Sequence, residues 1–464
     1  MLYLLESIPI NLGMRLILPD IPNHLIALVT TLRATLRDPG FWARHRVRPA
    51  DFTRDCCLTF PVLFLFVLQK TSKSIHCHLH EFLTALSHGD NGVLLTSGAV
   101  THARAKLEAS AFRELNRAGV LATAYGPEHP SHRWRGHRLL GVDSSLLRLP
   151  DHPKLGQVFG WKTAANQTGA TGTRYPEARL SVLYDLLNHL GLDARVAPST
   201  CGEVTLASQQ LDQVQPEDVL LNDRGFSGYG YFALVRQHGA HFIGRCSTAS
   251  FLAAQELFRG KRAGRSLVVW LHARADQHAE CRRLGLPLKL KVRFVSVRLA
   301  TGELEVLVTS LLDETRYPTA EFKTVYHWRW GHETYYLMLK GRLELENFSG
   351  RTVAAVHQDI QAAVLLANLE SLLSAPGAAA LQAHHAAPAQ PLQINRATAY
   401  HAVKFQVLAL FYGEVPVQEV IRKLTQLVVG SPVPARPDRP APQRRTPSLH
   451  RSYHYQRRVK KVVF

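Results

Sequence analysis

Tyr326, Arg329, Glu333 and Lys340 have side chains that can act together on one substrate, and their spacing brings them together. Steps of three, four and seven residues return to nearly the same side of an α-helix, so the spacing predicts one helix with all four on an exposed stripe. A carboxylate flanked by Arg and Lys can hold a divalent metal while the cations meet phosphate oxygens. The alternative is a solvated helix face with an ordinary Glu–Arg contact.

Two aspartates upstream lie in settings that suit a metal site. Asp143 lies within the apolar run Leu139 to Leu149, which predicts a buried strand that carries one charged residue. A carboxylate in such a strand is unfavourable unless a cation compensates it. Asp223 follows the apolar run Val219 to Leu221, at the carboxyl end of a predicted strand, where open sheets place functional groups. The alternatives are a loop aspartate at 143 and a helix N-cap at 223.

These motifs together resemble the DDE transposases of bacterial insertion sequences, in the insertion-sequence-four family. The pattern Y-x2-R-x3-E-x6-K is similar to the family's YREK signature, and residues 223–226, Asp-Arg-Gly-Phe, are similar to its D-R-G-Y/F motif. The family usually has Gly after its first aspartate, whereas this chain has Ser144. The difference weakens the match slightly or alters the local turn.

The resemblance implies a catalytic triad of Asp143, Asp223 and Glu333. These acids would bind two Mg²⁺ ions, which Mn²⁺ can replace, astride a scissile phosphate. The other signature residues are implied to contact the DNA backbone: Tyr326, Arg329 and Lys340.

The implied function is transposition of an insertion sequence. Such an enzyme binds terminal inverted repeats, cleaves double-stranded DNA with a metal and joins the freed end to target DNA. It is expected to work as a homodimer on two ends, in the bacterial cytoplasm at the nucleoid and without a membrane partner. Two other functions fit the same triad: a nuclease without strand transfer, and an inactive DNA-binding derivative.

The elements around the motifs alternate between strands and helices. Strands are predicted at Arg179–Tyr184, Ala194–Ala197 and His241–Arg245, and helices at Glu203–Val214 and Tyr229–Gln237. The resemblance implies that this α/β order is a ribonuclease-H-like catalytic core. A β-rich insertion follows, with strands predicted at Arg265–His272, Leu288–Leu299 and Glu303–Leu311. Trp270 in this insertion is expected in the core, although an insertion-domain tryptophan stacks on a base in some related enzymes.

The chain is predicted to have seven parts. They are a helical DNA-binding region (1–135), the core (136–246 and 317–374), the insertion (247–316), a linker (375–394), a helical C-terminal region (395–430) and a basic tail (431–464). In the first part Thr101, Arg104 and Lys106 predict a basic surface, of a helix-turn-helix or of a helical bundle with a solvated face. The tail is expected to grip DNA backbone or to act as a solubilising segment.

Composition agrees with a DNA enzyme. Among 464 residues, 55 Lys and Arg against 36 Asp and Glu give a net charge of +19, which favours a polyanionic partner. Six cysteines without a C-x-x-C pair predict reduced thiols, and the His76-Cys77-His78 run lacks a second ligand pair for zinc. The apolar run Phe60 to Leu68 is too short to span a bilayer, and Met1 to Leu18 lacks a clear cleavage site.

Overall fold

The computed structural model describes residues 20–54, 56–71, 73–87, 95–129, 131–163, 174–299, 301–384 and 392–435. It divides into two compact units, Met1–Pro130 with Ala354–Phe464, and Ser131–Val353. The boundaries of the seven parts stay a prediction. The expected N-terminal run Met1 to Leu18 and residues 436–464 of the basic tail lie outside the described residues.

The described residues form helices and strands as follows. The helices are α1 (Asn23–Arg37), α2 (Pro39–His45), α3 (Phe60–Leu68), α4 (Ile75–Leu86), α5 (Ser97–Arg104), α6 (Ser110–Glu114), α7 (Ala122–Ala124), α8 (Pro153–Phe159), α9 (Glu203–Gln210), α10 (Tyr229–Gln237), α11 (Leu252–Arg259), α12 (His278–Arg283), α13 (Phe322–His327), α14 (Trp330–Leu337), α15 (Val353–Leu373), α16 (Ala375–His384), α17 (Arg396–Phe405), α18 (Val407–Phe411) and α19 (Val417–Val429). The strands are β1 (Leu139–Arg148), β2 (Trp161–Thr163), β3 (Arg174–Asp185), β4 (Leu190–Pro198), β5 (Val219–Asn222), β6 (His241–Arg245), β7 (Ser266–His272), β8 (Lys289–Arg298), β9 (Leu304–Thr309), β10 (Leu392–Gln393) and β11 (Val433–Pro434).

One nine-stranded mixed sheet organises the unit Ser131–Val353. Its order is β2-β3-β1-β5-β6-β9-β8-β7, and β4 also pairs with β3. Strand β1 runs antiparallel to β3 and parallel to β5, and β5 runs parallel to β6. The expected mixed α/β class is confirmed.

Strands β5 and β6 form as expected because their sequences suit a sheet covered on both faces. All four residues of β5 are buried, as continuous apolar runs in parallel sheets usually are. Helix α10 makes the crossover that two parallel neighbours require. The carboxyl ends of β1, β5 and β6 therefore lie at one edge of the sheet.

The insertion extends this sheet. Strand β9 pairs antiparallel with β6, β8 with β9, and β7 with β8, so β7 is an edge strand. Trp270 lies on that edge strand and is 53% exposed. The expectation that Trp270 is a core residue is wrong, because among the described residues the face of β7 that carries Val268, Trp270 and His272 is exposed.

The unit that contains α1 to α7 and α15 to α19 is helical, as expected for the N-terminal region. The predicted basic surface is wrong for Arg104, which is only 4% exposed. Its guanidinium donates to Asp359 Oδ1 and Gln358 Oε1, both at 2.8 Å. The guanidinium of Arg104 is therefore paired inside the helical unit and is not part of a basic surface.

The predicted linker begins as a helix. Helix α16 occupies Ala375–His384, and its Ala380 and Leu381 pack with Val429 of α19. Alanine is the strongest helix former, which explains why this Ala-rich stretch folds. The rest of the predicted linker up to residue 391 lies outside the described residues.

One helical stretch, Val353–Ala383, is long and apolar enough to cross a membrane by length and composition alone. Of its most apolar window, 78% is buried inside the protein. Core helices of globular proteins pass the same test, so this stretch is weak support for a membrane span.

Candidate functional site

Asp143 and Asp223 lie side by side at the carboxyl edge of the sheet. Strands β1 and β5 pair in parallel with Gly141 opposite Leu221. Asp143 comes two residues later within β1, and Asp223 comes two residues later, directly after the end of β5. Neighbouring strands are about 4.8 Å apart, and residues in register point to the same side. The structure thus brings together two acids that are eighty positions apart in the sequence.

Asp143 is an acid in an unfavourable environment. Burial raises its pKa to about 6, against the backbone N–H of Ser144 and the charge of Arg329, and the charges of Glu203 and Asp223 raise it further. The Ser144 N–H donates to Asp143 Oδ1 at 2.7 Å. Such a carboxyl gains most from a cation close by.

Asp223 presents an oxygen that lacks a partner. Its Oδ1 is buried and accepts no hydrogen bond from the described residues. An orphaned buried carboxylate oxygen is costly, and a metal ion or a hydrogen-bond donor on a ligand would compensate it.

The signature residues do not lie on one regular helix, which corrects the sequence-based expectation. Helix α13 ends at His327, a tight turn follows in which the Arg329 N–H donates to the Tyr326 carbonyl oxygen, and α14 begins at Trp330. A π-helical segment, Met338–Arg342, then carries Lys340. Segments of this kind are frequent at functional sites because they re-aim side chains.

Helix α14 is fixed across β1 and β3 by hydrogen bonds to backbone carbonyls. Tyr336 Oη donates to the Asp143 carbonyl oxygen at 2.9 Å, and His332 Nε2 lies 2.9 Å from the Val182 carbonyl oxygen. Burial lowers the pKa of His332 to about 4, so the neutral ring donates from Nε2. A Cβ at Gly141 would lie 3.1 Å from His332, so glycine permits this close approach. Glu333 follows His332 and is therefore carried over β1.

Tyr326 is in a different position from the one the signature suggests. It is 5% exposed, and its hydroxyl donates to the Asn222 carbonyl oxygen at 3.2 Å. In this structure the hydroxyl is used inside the protein, and the expected phosphate contact stays a prediction. The hydrogen bond instead fixes the end of β5, next to Asp223.

Arg329 is also buried, with 6% of its surface exposed. Its Nη2 donates to Glu333 Oε1 at 3.1 Å, while the Glu333 side chain remains 42% exposed. Burial would lower the pKa of Arg329, but Tyr326, Asp223 and Glu333 outweigh it and raise the pKa. The guanidinium therefore lies among the acids of the site.

Lys340 is attached to the far half of β1. Its Nζ donates to the Leu146 carbonyl oxygen and lies 3.9 Å from Glu346 Oε1. Burial lowers its pKa, and the acids Glu346 and Glu177 oppose that shift. The side chain is partly exposed, so it can still meet an approaching phosphate.

The donor set suits a divalent metal, although the acids are not gathered as ready ligands. In the described ranges there is no group of three or more His, Cys, Asp or Glu side chains placed to hold a metal ion. Asp143 and Asp223 are close enough to interact, whereas Glu333 is held by Arg329. The orphaned oxygen of Asp223 and the desolvated Asp143 are hard oxygen ligands of the kind that Mg²⁺ prefers.

Two further acids near the site were not found from the sequence. Glu203 Oε1 accepts from Ser144 Oγ at 2.7 Å and from Arg179, which explains the role of the serine after Asp143. Glu305 on β9 is buried in an ion pair with Arg245. Burial raises the pKa of Glu305, and the charges of Arg245 and Arg329 are among those that oppose this shift. Only the predicted helix start at Glu203 hinted at either residue.

Comparisons with known proteins point to one class of enzyme. The family model described as the transposase DDE domain matches residues 134–369, just over half of the chain. The transposase InsG of insertion sequence element IS4 from Escherichia coli K12 is 24% identical over 284 residues, covering 60% of this chain and 61% of InsG. The putative transposase InsZ of the same organism is 30% identical over 161 residues, covering 34% of this chain and 52% of InsZ. The chain thus matches about three fifths of the length of InsG and about one half of the length of InsZ.

A solved structure is similar at a lower level. It is the cryo-EM structure of the piggyBac transposase synaptic complex with hairpin DNA, at a TM-score of 0.40 and 10% identity, covering 88% of this chain and 82% of that one.

Proposed function

The chain belongs to the family of transposases with a DDE domain, and we propose that it moves a bacterial insertion sequence by metal-dependent DNA cleavage and strand transfer. The observation that carries the proposal is the placement of Asp143 beside Asp223, with the helix that bears Glu333 hydrogen-bonded to the Asp143 backbone. Both reactions are displacements at phosphorus, so one acidic site can serve them.

We further propose that the strands β4-β3-β1-β5-β6 form a ribonuclease-H-like core. Three antiparallel strands followed by two parallel ones, with a helix between the last two, support this assignment. Membership of the family supports it independently.

Asp143, Asp223 and Glu333 would hold the metal. Two Mg²⁺ ions, or Mn²⁺ in their place, would supply a polarised nucleophile and a stabilised leaving oxygen when bound. The chain's own residues would do the rest: Tyr326 fixes the end of β5, Tyr336 fixes the helix over β1, and Arg329 and Lys340 meet phosphate oxygens.

The substrate and partners are part of the proposal. Terminal inverted repeats and target DNA would be held by a homodimer with two ends, in the bacterial cytoplasm at the nucleoid. The net charge of +19 supports a polyanionic partner.

Replacement of each acid tests the proposal. Asp143→Asn, Asp223→Asn and Glu333→Gln should each lower Mg²⁺-dependent cleavage of duplexes from the ends of the element by about 10²–10³-fold or more, as loss of preorganised charge does. Asp151→Asn is the matched control, because Asp151 is an exposed acid after β1. Full cleavage by any one triad variant would show that the site is assigned wrongly.

A second assay separates the alternative functions. Strand transfer of a pre-cut end by the wild-type protein distinguishes a transposase from a nuclease that joins nothing. Absence of Mn²⁺ binding by the three acids, together with neither cleavage nor joining, would instead identify an inactive derivative.

A further inference from the structure

The positively charged side chain of Arg329 lies among the three acids that are proposed to hold the metal. Its guanidinium donates to Glu333 Oε1 at 3.1 Å, and its charge acts on both Asp143 and Asp223. With 6% of its surface exposed, it faces these acids with little screening by water. It therefore compensates the negative charge that a metal would otherwise compensate.

The anchoring of Arg329 is incomplete. Its Nε is buried without a hydrogen-bond partner, and Nη2 makes the bond to Glu333. Its guanidinium also lies 5.1 Å from the ring centroid of Trp330 and 5.9 Å from that of Tyr326. A guanidinium held by charge and aromatic faces, rather than by a full set of hydrogen bonds, can change partner without breaking a network.

Arg329 and a metal ion would compete for the same carboxylate. The bond from Arg329 occupies Glu333 Oε1, and the acids do not form a group ready to hold a metal in the part of the chain that the structure describes. We propose that Arg329 is the counter-cation of the metal-free site, and that a divalent metal binds by displacing its guanidinium from Glu333. The inference rests on the proposed metal site and adds a competition within it.

Metal binding without DNA tests this competition. In Arg329→Gln, Mn²⁺ should bind about tenfold more tightly than in wild type, because a competing charge-assisted bond and a like charge are removed. Titration calorimetry or the electron paramagnetic resonance signal of free Mn²⁺ gives the affinity. Arg329→Lys keeps the charge and should stay within about threefold of wild type.

Arg283→Gln is the matched control. Arg283 forms an ion pair with Glu280 one helical turn away on α12, so the substitution removes the same charge and a similar contact outside the site. Its affinity for Mn²⁺ should equal that of wild type. A tenfold gain in this control would mean that net charge, rather than Arg329 itself, sets the affinity.

The wild-type protein offers a measurement that does not depend on a variant with an altered site. Because the guanidinium lies against Trp330, Mg²⁺ should change the tryptophan fluorescence of wild type, and Trp330→Phe should lose most of that change. Mg²⁺ itself does not quench tryptophan, so the signal reports movement of Arg329.

The outcomes separate this inference from the proposed function. Equal Mn²⁺ affinity in wild type and folded Arg329→Gln, with binding lost in Asp143→Asn, would overturn the competition and leave the metal site standing. The competition would also be overturned if Mg²⁺ left the fluorescence unchanged while Mn²⁺ bound. Absence of Mn²⁺ binding in every protein would overturn the metal site and the inference together.

Discussion

Tyr326 stabilises the site indirectly, through a hydrogen bond to the backbone of β5, the strand that precedes Asp223. Its hydroxyl donates to the Asn222 carbonyl oxygen, and burial raises its pKa, so the hydroxyl stays protonated. A phenol fixed in this way has no free donor for DNA. We therefore expect the residue to act by positioning an acid, and its predicted contact with DNA is the alternative.

Tyr326→Phe distinguishes these two roles. We expect the free energy of unfolding to fall by about 1 kcal/mol, since one buried hydrogen bond is lost. The cleavage rate should fall severalfold while affinity for end DNA is unchanged, because the change moves Asp223 and removes no phosphate contact. Urea unfolding, single-turnover cleavage and a binding titration measure the three quantities. Tyr412→Phe, at an exposed tyrosine, serves as control, and weaker DNA binding by Tyr326→Phe would restore the phosphate contact.

At the scale of elements, the helix that carries Glu333 is held on the sheet at several points. The last of them is Lys340, which joins the π-helical segment to β1 through the Leu146 carbonyl oxygen. This contact gives Lys340 a structural role in addition to the proposed phosphate contact.

Lys340→Met should therefore lower both the stability of the protein and its affinity for DNA. We expect the midpoint of thermal unfolding to fall by a few degrees, as about 1 kcal/mol does in a domain of this size. The KM for end DNA should rise because a phosphate partner is lost. Lys323→Met is the matched control on the exposed side of α13 and should change neither quantity. If Lys340→Met failed to fold, the residue would be mainly structural, which would contradict the proposed contact of Lys340 with a DNA phosphate.

Much of the sheet could be predicted because its signals are local. Helix α10 and strand β6 have the predicted bounds, since Gly228 precedes the helix, Gly239 lies between the two elements, and each has a continuous apolar pattern. The burial of Arg329 could not be predicted in the same way. It depends on β1 and β5, more than a hundred positions away, and helical periodicity shows which residues share a side but not what that side packs against.

Part of the site was also predictable, because some of its signals are local in the sequence. The two aspartates were found because each is a single charge at an apolar strand. Glu203 and Arg179 were missed because they sit in ordinary polar sequence and reach the site only through tertiary pairing. Glu305 was missed although it also lies in an apolar strand, because only the fold brings it and its partner Arg245 near the site. The contact of Ser144 with Glu203 also explains in physical terms why a serine can follow Asp143.

A histidine at the amino end of β6, His241, makes the free energy of unfolding depend on pH. Burial, with Arg236 alongside, lowers the pKa of His241 to about 4. Its Nδ1 lies 3.1 Å from Arg236 Nη1 and from Ser310 Oγ, and its Nε2 lies 3.6 Å from Glu217. The unfolded chain, with a pKa near 6.5, takes up the proton first.

The free energy of unfolding should therefore fall as pH drops from about 6.5 toward 4, and the contribution of His241 should be complete above that range. Between pH 7 and pH 5 we expect wild type to lose about 1 kcal/mol more than His241→Gln, after allowance for the screening of a partly exposed group. Urea unfolding at the two pH values measures the difference. Parallel losses in the two proteins would show that His241 is not the group responsible.

At the scale of the whole molecule, positive charge is concentrated in the insertion as well as being in excess overall. Residues 259–293 contain ten Lys or Arg and two acids. Within this segment Lys289 and Lys291 are exposed on β8, and Lys289 Nζ lies 5.1 Å from the ring centroid of the exposed Trp270. Because exposed lysines displace counterions from DNA, this surface should contribute to affinity without reading sequence.

The salt dependence of DNA binding tests that contribution. Each phosphate contact adds about 0.9 to the slope of log K against log salt concentration, so Lys289→Gln with Lys291→Gln should reduce the slope by up to about 1.8. Affinity should fall equally for end DNA and unrelated duplex, since neither lysine is expected to select a base. Lys423→Gln, where the lysine is paired with Glu419 on α19, is the comparison variant. A slope that the double substitution leaves unchanged would mean that DNA does not reach this part of the sheet, and the positive charge of the insertion would then need a different explanation.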